Sequence, residues 1–264
     1  MFLTFRDVWN YRHLILTFTT RNLKLKYKSS IFGFLWSLIT PLLMMMVYTV
    51  VFSYIIRIQV DFPYVVFVLC GLLPWTFFAS SLSLASNAIL ENANLIKKVF
   101  FPRVTIPIAS VLSNLVNLGV SLILLFGFMG YYDILPNIHI TLFPLVILVH
   151  LIFTIGLALF FSSLTVFFRD LQHILEIILT IWFYSTPVIY PVSLLSGKLR
   201  AVLLLNPMTA IVELYRSVLL YQTLPPDNPS WSSLWLTAWI WTIVFLVIGS
   251  YVFRRLEHRF VREL

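Results

Sequence analysis

The sequence predicts an all-α integral membrane protein. The expected architecture is six transmembrane helices, an N-terminal amphipathic interfacial helix, and a re-entrant external helical hairpin between spans five and six. Three observations carry this prediction. The chain is 60% hydrophobic and only 11% charged, against about a quarter charged in soluble domains. Its mean hydropathy is +0.96. Its Lys and Arg residues fall in islands between long apolar runs. So few charges cannot solvate a whole surface, so the bilayer must act as part of the solvent.

A spanning helix needs about 20 mostly apolar residues. Runs of that kind occur at roughly Phe32–Ile56, Pro63–Ala88, Val104–Tyr132, Thr141–Phe168, Leu171–Tyr190 and Trp235–Phe253. Fourteen of the eighteen basic residues precede the first run, follow the last, or lie in the loops after spans two and four. The positive-inside rule then places both termini in the cytoplasm. Within residues 1–30, Val8, Tyr11, Ile15, Phe18 and Leu25 follow helical spacing among basic residues, as an interfacial helix requires; Asn22 interrupts that stripe. The segment 187–221 is apolar, but Pro187, Pro191, Gly197 and Pro207 divide it into pieces shorter than a span. Such a hairpin must be buried in protein or line a wet cavity. The whole of 1–264 reads as one transmembrane domain without internal repeats, unlike the secondary transporters built from mirrored halves.

The chemistry present is sparse. His150, His173 and Glu176 are the ionisable residues inside or beside spans, and such residues are functional candidates. With eight glycines and no GxxxxGK[ST] run, the chain is not expected to cradle ATP phosphates itself. No catalytic triad or metal-ligand spacing stands out, and the single cysteine, Cys70, builds no disulfide framework. The net charge of +8 follows topology rather than a nucleic-acid footprint. No cleavable signal peptide is expected. Aromatics are abundant, at 17%. Tyr48 and Phe52 in the first span, with Trp182, Phe183, Tyr184 and Tyr190 near the fifth, could offer ring faces to sugars, or could equally be packing groups. The island Glu91–Arg103 mixes Lys97, Lys98 and Arg103 with Leu95, Ile96, Val99, Phe100 and Phe101 and ends near Pro102. It reads as a short amphipathic cytoplasmic helix that presses against another protein.

Four stretches resemble a known family. They are RNLKLKYKSSIFGFLWSLITPLL (Arg21 to Leu43), GLLPWTFFASSLSLASNAILENANLIKKVFFPR (Gly71 to Arg103), FFRDLQHILEIILTIWFYSTPVIYP (Phe167 to Pro191) and LNPMTAIVELYRSVLL (Leu205 to Leu220). In order and nearly end to end, they are similar to the permease subunit of type 2 ABC exporters for surface polysaccharide, the Wzm-type O-antigen transporters. Asn22 stands where relatives often carry Asp.

The resemblance implies a bacterial inner-membrane homodimer bound to two cytoplasmic ABC ATPase subunits. ATP and Mg would sit on those subunits, with no cofactor in this chain. The cargo would be a polysaccharide linked to undecaprenyl diphosphate, moved from cytoplasm to periplasm. Residues 91–103 then become the ATPase-coupling helix, with Glu91, Asn94, Lys97, Lys98, Phe101 and Arg103 as contact candidates. The hairpin becomes an external gate containing Pro207, Glu213 and Arg216. The aromatic residues become a polysaccharide channel between first and fifth spans, and Lys24, Lys26, Lys28 and Arg169 could meet the lipid diphosphate. Teichoic-acid, capsule, lipid or drug exporters of the same superfamily remain open, as does a membrane enzyme acting on isoprenoid-linked sugars.

Overall fold

The computed structural model describes residues 9–28, 32–135, 138–221 and 230–264, which form helices joined by turns. Val8, Arg6 and the loop residues 222–229 lie outside the described residues. In chain order the helices are α1 (Arg12–Tyr27), α2 (Trp36–Tyr48, continuing as a π-type turn over Thr49–Ile55), α3 (Tyr64–Glu91), α4 (Ala93–Lys98), α5 (Thr105–Tyr131), α6 (Phe143–Thr165), α7 (Leu171–Tyr184), α8 (Gly197–Leu204), α9 (Pro207–Leu219), α10 (Trp231–Glu257) and α11 (Phe260–Glu263).

Among the described residues, five helical stretches are long and apolar enough to cross a membrane: Trp36–Ile55, Tyr64–Glu91, Thr105–Tyr131, Ile138–Thr165 and Trp231–Glu257. These correspond to sequence spans one to four and six. The fifth span differs. α7 has 14 residues, about 21 Å at ~1.5 Å per residue, short of a hydrocarbon core about 30 Å thick. It stops because Pro187 forces the preceding residue, Thr186, away from helical geometry. The segment expected to form a re-entrant hairpin contains two helices, α8 and α9, bent by 86° at Leu205-Asn206, a geometry shared by a broken span and a re-entrant loop.

The bundle is organised around α3, which touches α2, α5, α6, α7 and α9. Val66 to Leu69, Leu73, Phe78 and Leu82 of α3 are buried. All residues of α9 are buried too. The outer faces of α2, α7 and α10 stay exposed, with Val47, Tyr54, Ile177, Ile181, Leu236 and Ile243 among the apolar groups left uncovered. Those faces meet lipid or another chain.

α1 departs from the expected pattern. Its buried face is Ile15, Phe18 and Thr19, while Tyr11 and Leu25 are exposed. The helix runs parallel to α5, and its contact is largely polar. Thr19 Oγ1 reaches Ala109 O (3.5 Å), Asn22 Nδ2 donates to Ser110 Oγ (3.5 Å), and the Tyr27 hydroxyl donates to Asn117 Oδ1 (2.8 Å). Asn22 therefore lies on the docking face rather than interrupting it.

Between apolar helices in lipid the hydrophobic effect is lost, so close backbone approach becomes the main source of packing energy. α6 and α10 achieve it at Gly156 and Gly249. A Cβ on Gly156 would lie 2.6 Å from Leu246 N and 2.7 Å from Phe245 O, and one on Gly249 would run into the Gly156 carbonyl. A Cβ on Gly127, in contrast, meets nothing within 4 Å. Gly→Ala in a helix normally gains up to ~1 kcal/mol, whereas overpacking costs about 1–3 kcal/mol. Gly156→Ala should therefore lower the thermal melting point of the purified protein by several degrees, while Gly127→Ala leaves it level or raised.

Candidate functional site

The cytoplasmic island becomes a six-residue helix, α4, followed by extended chain from Val99. Pro102 again explains the early stop, since it disfavours helix at Phe101. The element has an inner and an outer face. Ile96 is buried, and Phe101 stands 5.8 Å from the Phe18 ring of α1. Both belong to a small apolar cluster with Ile15, Val104, Phe253 and Phe260. Arg103 is tied to α10: its backbone N–H donates to Glu257 Oε1 (3.2 Å) and its guanidinium donates to Glu257 O. At the other end, Arg21 of α1 donates to Asn92 Oδ1 (2.9 Å). Glu91, Asn94, Lys97 and Lys98 face outward. So does Phe100, which is 98% exposed. Sequence reasoning named Phe101 and passed over Phe100; adjacent residues in extended chain point opposite ways, so one ring of the pair must face out.

The candidate channel aromatics do not act as one surface. Phe183 is buried, stacked on Tyr48 at 6.0 Å and packed against Trp75 at 5.4 Å. Trp182 lies against Phe78 at 5.1 Å, and its indole N–H donates to Asn206 Oδ1 at 2.7 Å. These two rings turn into the protomer because α7 packs its Leu175, Leu179 and Phe183 face inward. Tyr184 is on the opposite side, 62% exposed. Tyr48, Phe52 and Tyr190 are half-buried, with the Tyr190 hydroxyl on Tyr184 O at 3.0 Å.

The hairpin residues are likewise interior. Pro207 opens α9 beneath Asn206, whose side chain caps Met208 N (3.0 Å) and donates to Ser185 O (3.0 Å) and Thr186 Oγ1 (3.1 Å). Arg216 is 0% and Glu213 2% exposed, paired at 2.8 Å. The Arg216 fork also donates to Pro187 O (2.6 Å) and Val188 O (2.7 Å), and its guanidinium sits 3.7 Å from the Phe67 ring centre. Gly71 makes this possible, since a Cβ there would come 2.9 Å from Arg216 Nη2. Glu213 and Arg216 thus form a clamp on the bend after α7. Of the candidate diphosphate contacts, Lys24, Lys28 and Arg169 are exposed, and Lys26 reaches Asn114 Oδ1 at 3.4 Å. His150 is enclosed, with Nδ1 3.4 Å from the Tyr215 hydroxyl and its ring against Phe77.

The chain that folds this way also matches a known family by sequence. The signature of the ABC-2 type transporter covers residues 13–220. The chain belongs to the ABC-2 type transporter family. It is similar to the O-antigen export system permease protein RfbA of Myxococcus xanthus, 38% identical over 227 residues, 85% of this chain and 86% of that one. It is also similar to the protein of the same description from Klebsiella pneumoniae, 32% identical over 252 residues and 95% of both chains. The polysialic acid transport protein KpsM of Escherichia coli matches at 26% over 242 residues, 90% of this chain and 91% of that one.

Within this ABC-2 membrane domain, Asn206 is the residue that sequence reasoning missed. The signal was available: Asn followed by Pro is a helix-start pattern, with Asn as cap and Pro at the first position. Two substitutions separate packing from surface here. Trp182→Ala removes a packed ring and an Asn206 partner, so the ABC-2 fold should lose about 3–5 kcal/mol, read as a large drop in melting temperature. Tyr184→Ala should leave melting unchanged. For the clamp, Arg216→Ala strands Glu213 and leaves the Pro187 and Val188 carbonyls without their donor, and should cost about 3–5 kcal/mol; replacing both, Glu213→Leu with Arg216→Met, should recover only the part owed to the stranded acid.

Proposed function

We propose that this protein is the permease subunit of an ATP-driven exporter that moves O-antigen polysaccharide across the bacterial inner membrane. The observation that carries the reading is 32–38% identity to O-antigen export permeases over 85–95% of the chain. The polysialic acid transport relatives, at 25–26%, are further away.

In this reading two copies form the translocation path, and each receives one ABC ATPase subunit that binds ATP and Mg. The basic residues flanking the spans hold both termini and α4 in the cytoplasm. The outward groups of the coupling element, Glu91, Asn94, Lys97, Lys98 and Phe100, enter the ATPase, with Phe100 as the apolar anchor, as buried aromatic anchors do in other interfaces. Ile96, Phe101 and Arg103 pass the load to α1, α5 and α10. The exposed faces of α2 and α7 meet across the dimer, and Tyr48, Phe52 and Tyr184 supply ring faces along which sugars slide. The π-type turn at Thr49–Ile55 lies on that face; such turns recur at functional sites. The cargo's polyprenyl diphosphate is received near Lys24, Lys26, Lys28 and Arg169.

Deleting the reading frame should abolish surface O-polysaccharide while lipid-linked polymer accumulates in the cytoplasm, seen by blotting intact and lysed cells; unchanged surface polymer would refute the reading. In the complemented strain, Lys97→Glu with Lys98→Glu should stop export without lowering the amount of permease in the membrane. ATPase activity in the purified complex should then no longer respond to the permease. Normal export in that double variant would remove the coupling role from these lysines.

A further inference from the structure

Two ionisable residues of the fifth span, His173 and Glu176, are exposed on α7 and belong neither to the coupling element nor to the Arg216 clamp. Placing the α7 residues at about 100° each around the helix axis divides its surface into three strips. Leu175, Leu179 and Phe183 fill the buried one. Ile174, Ile177, Ile178 and Ile181 form an exposed apolar strip. His173, Glu176, Thr180 and Tyr184, all exposed, share the third, a sector about 80° wide with no aliphatic residue in it.

The polar strip adjoins Phe183, whose ring stacks on Tyr48 of α2 at 6.0 Å, so it opens toward α2. The apolar strip lies on the other side, next to Trp182 and its partner Asn206. From His173 to Tyr184 the polar strip runs about 16 Å at ~1.5 Å per residue, more than half of a hydrocarbon core about 30 Å thick. Headgroup water can therefore serve its cytoplasmic end but not its whole length. A carboxylate facing hydrocarbon is costly, and intramembrane acids turn to protein or to water-filled cavities instead. Glu176 has no such relief inside the protomer. Among the described residues its carboxylate makes no ion pair, and Thr180 Oγ1 donates to its backbone O (2.9 Å), not to its side chain. What satisfies it comes from outside the chain.

We propose that this strip is the wetted wall of the translocation path, entered at His173, and that the Glu176 carboxylate accepts hydrogen bonds from hydroxyls of the passing sugar chain. An ionised carboxylate only accepts, and a sugar hydroxyl can donate, so the pair is matched and charge-assisted. Tyr184, at the far end of the strip, offers a ring face to the apolar side of the same sugars. The identity of the passing chain rests on the exporter reading; the wetted strip rests on the helix surface alone.

Cysteine labelling tests the strip. Cys70 is the single cysteine and is 0% exposed, so introduced thiols are read against a silent background. In the permease–ATPase complex held in lipid nanodiscs, a charged methanethiosulfonate should modify Thr180→Cys and Tyr184→Cys about tenfold faster than Ile178→Cys and Ile181→Cys, because the reactive thiolate forms where water reaches. Equal rates in the two strips would overturn the proposal. In cells, Glu176→Leu should cut surface polymer about tenfold, and Glu176→Gln, which still accepts a hydrogen bond, only about twofold. Both variants should melt with the unaltered protein, since the carboxylate has no partner within the fold. Normal surface polymer in Glu176→Leu would remove the hydroxyl contact. Labelling is read without cargo, and deleting the reading frame tests the exporter reading, so the two can fail independently.

Discussion

One buried cation holds together the part of this fold where α3, α7 and α9 meet. Arg216 lies on α9, yet its guanidinium donates to the Pro187 and Val188 carbonyls after α7, pairs with Glu213, and rests on Phe67 of α3. Irregular backbone cannot be left unsatisfied at membrane depth. The bend that Pro187 imposes exposes carbonyls that no helix can use, and Arg216 supplies the missing donors. Its charge must then be neutralised, which Glu213 does one turn away. Gly71 is small because the fork needs that space. A broken fifth helix, an inserted arginine, an acid beside it and a glycine opposite are therefore one solution to a single hydrogen-bonding problem.

This also explains what could be read from the sequence. Long apolar runs announce spanning helices because length and hydropathy are local properties, and five of the runs became helices within a few residues of their expected bounds. The fifth failed at its end because an apolar count does not register a backbone break; Ser185 to Tyr190 are apolar enough for lipid but belong to the bend. The candidate site was legible by type more than by direction. Lys97 and Lys98 face outward as their charge demands. Trp182 and Phe183 carry the composition of a sugar-facing surface, but which way a ring turns on a short helix depends on partners elsewhere in the chain, here Asn206, Phe78 and Tyr48. The sequence leaves open whether Glu213 and Arg216 are buried in protein or line a wet cavity. Their burial follows only once Pro187 needs a donor.

The coupling element shows a similar division between local and distant causes. α4 is too short to be stable alone, so its position is set by what holds it. Phe18 and Arg21 grip it from α1, Ile96 and Val104 seat it among the cytoplasmic ends of the bundle, and Glu257 of α10 receives Arg103. An apolar cluster packed to this degree moves as a unit, because interiors are dense and resist compression. The segment is therefore tied to both α1 and α10.

α1 makes the consequence sharper. The middle of this helix contacts the 91–103 segment through Phe18 and Arg21, and its last turn lines a cleft between α1, α2, α3 and α5 with Lys26 and Tyr27. Sixteen helical residues span about 24 Å at ~1.5 Å each, and the polar contacts from Thr19 to Tyr27 dock the helix along α5 rather than in lipid. Hydroxyl and amide contacts are well suited to such a joint. They fix register through direction, yet each contributes only about 0.5–1.5 kcal/mol, so a helix held this way can shift against α5 at a smaller cost than one locked by apolar interdigitation. The polar face of α1, which looks like a flaw in an amphipathic stripe, is therefore what docks the helix on α5.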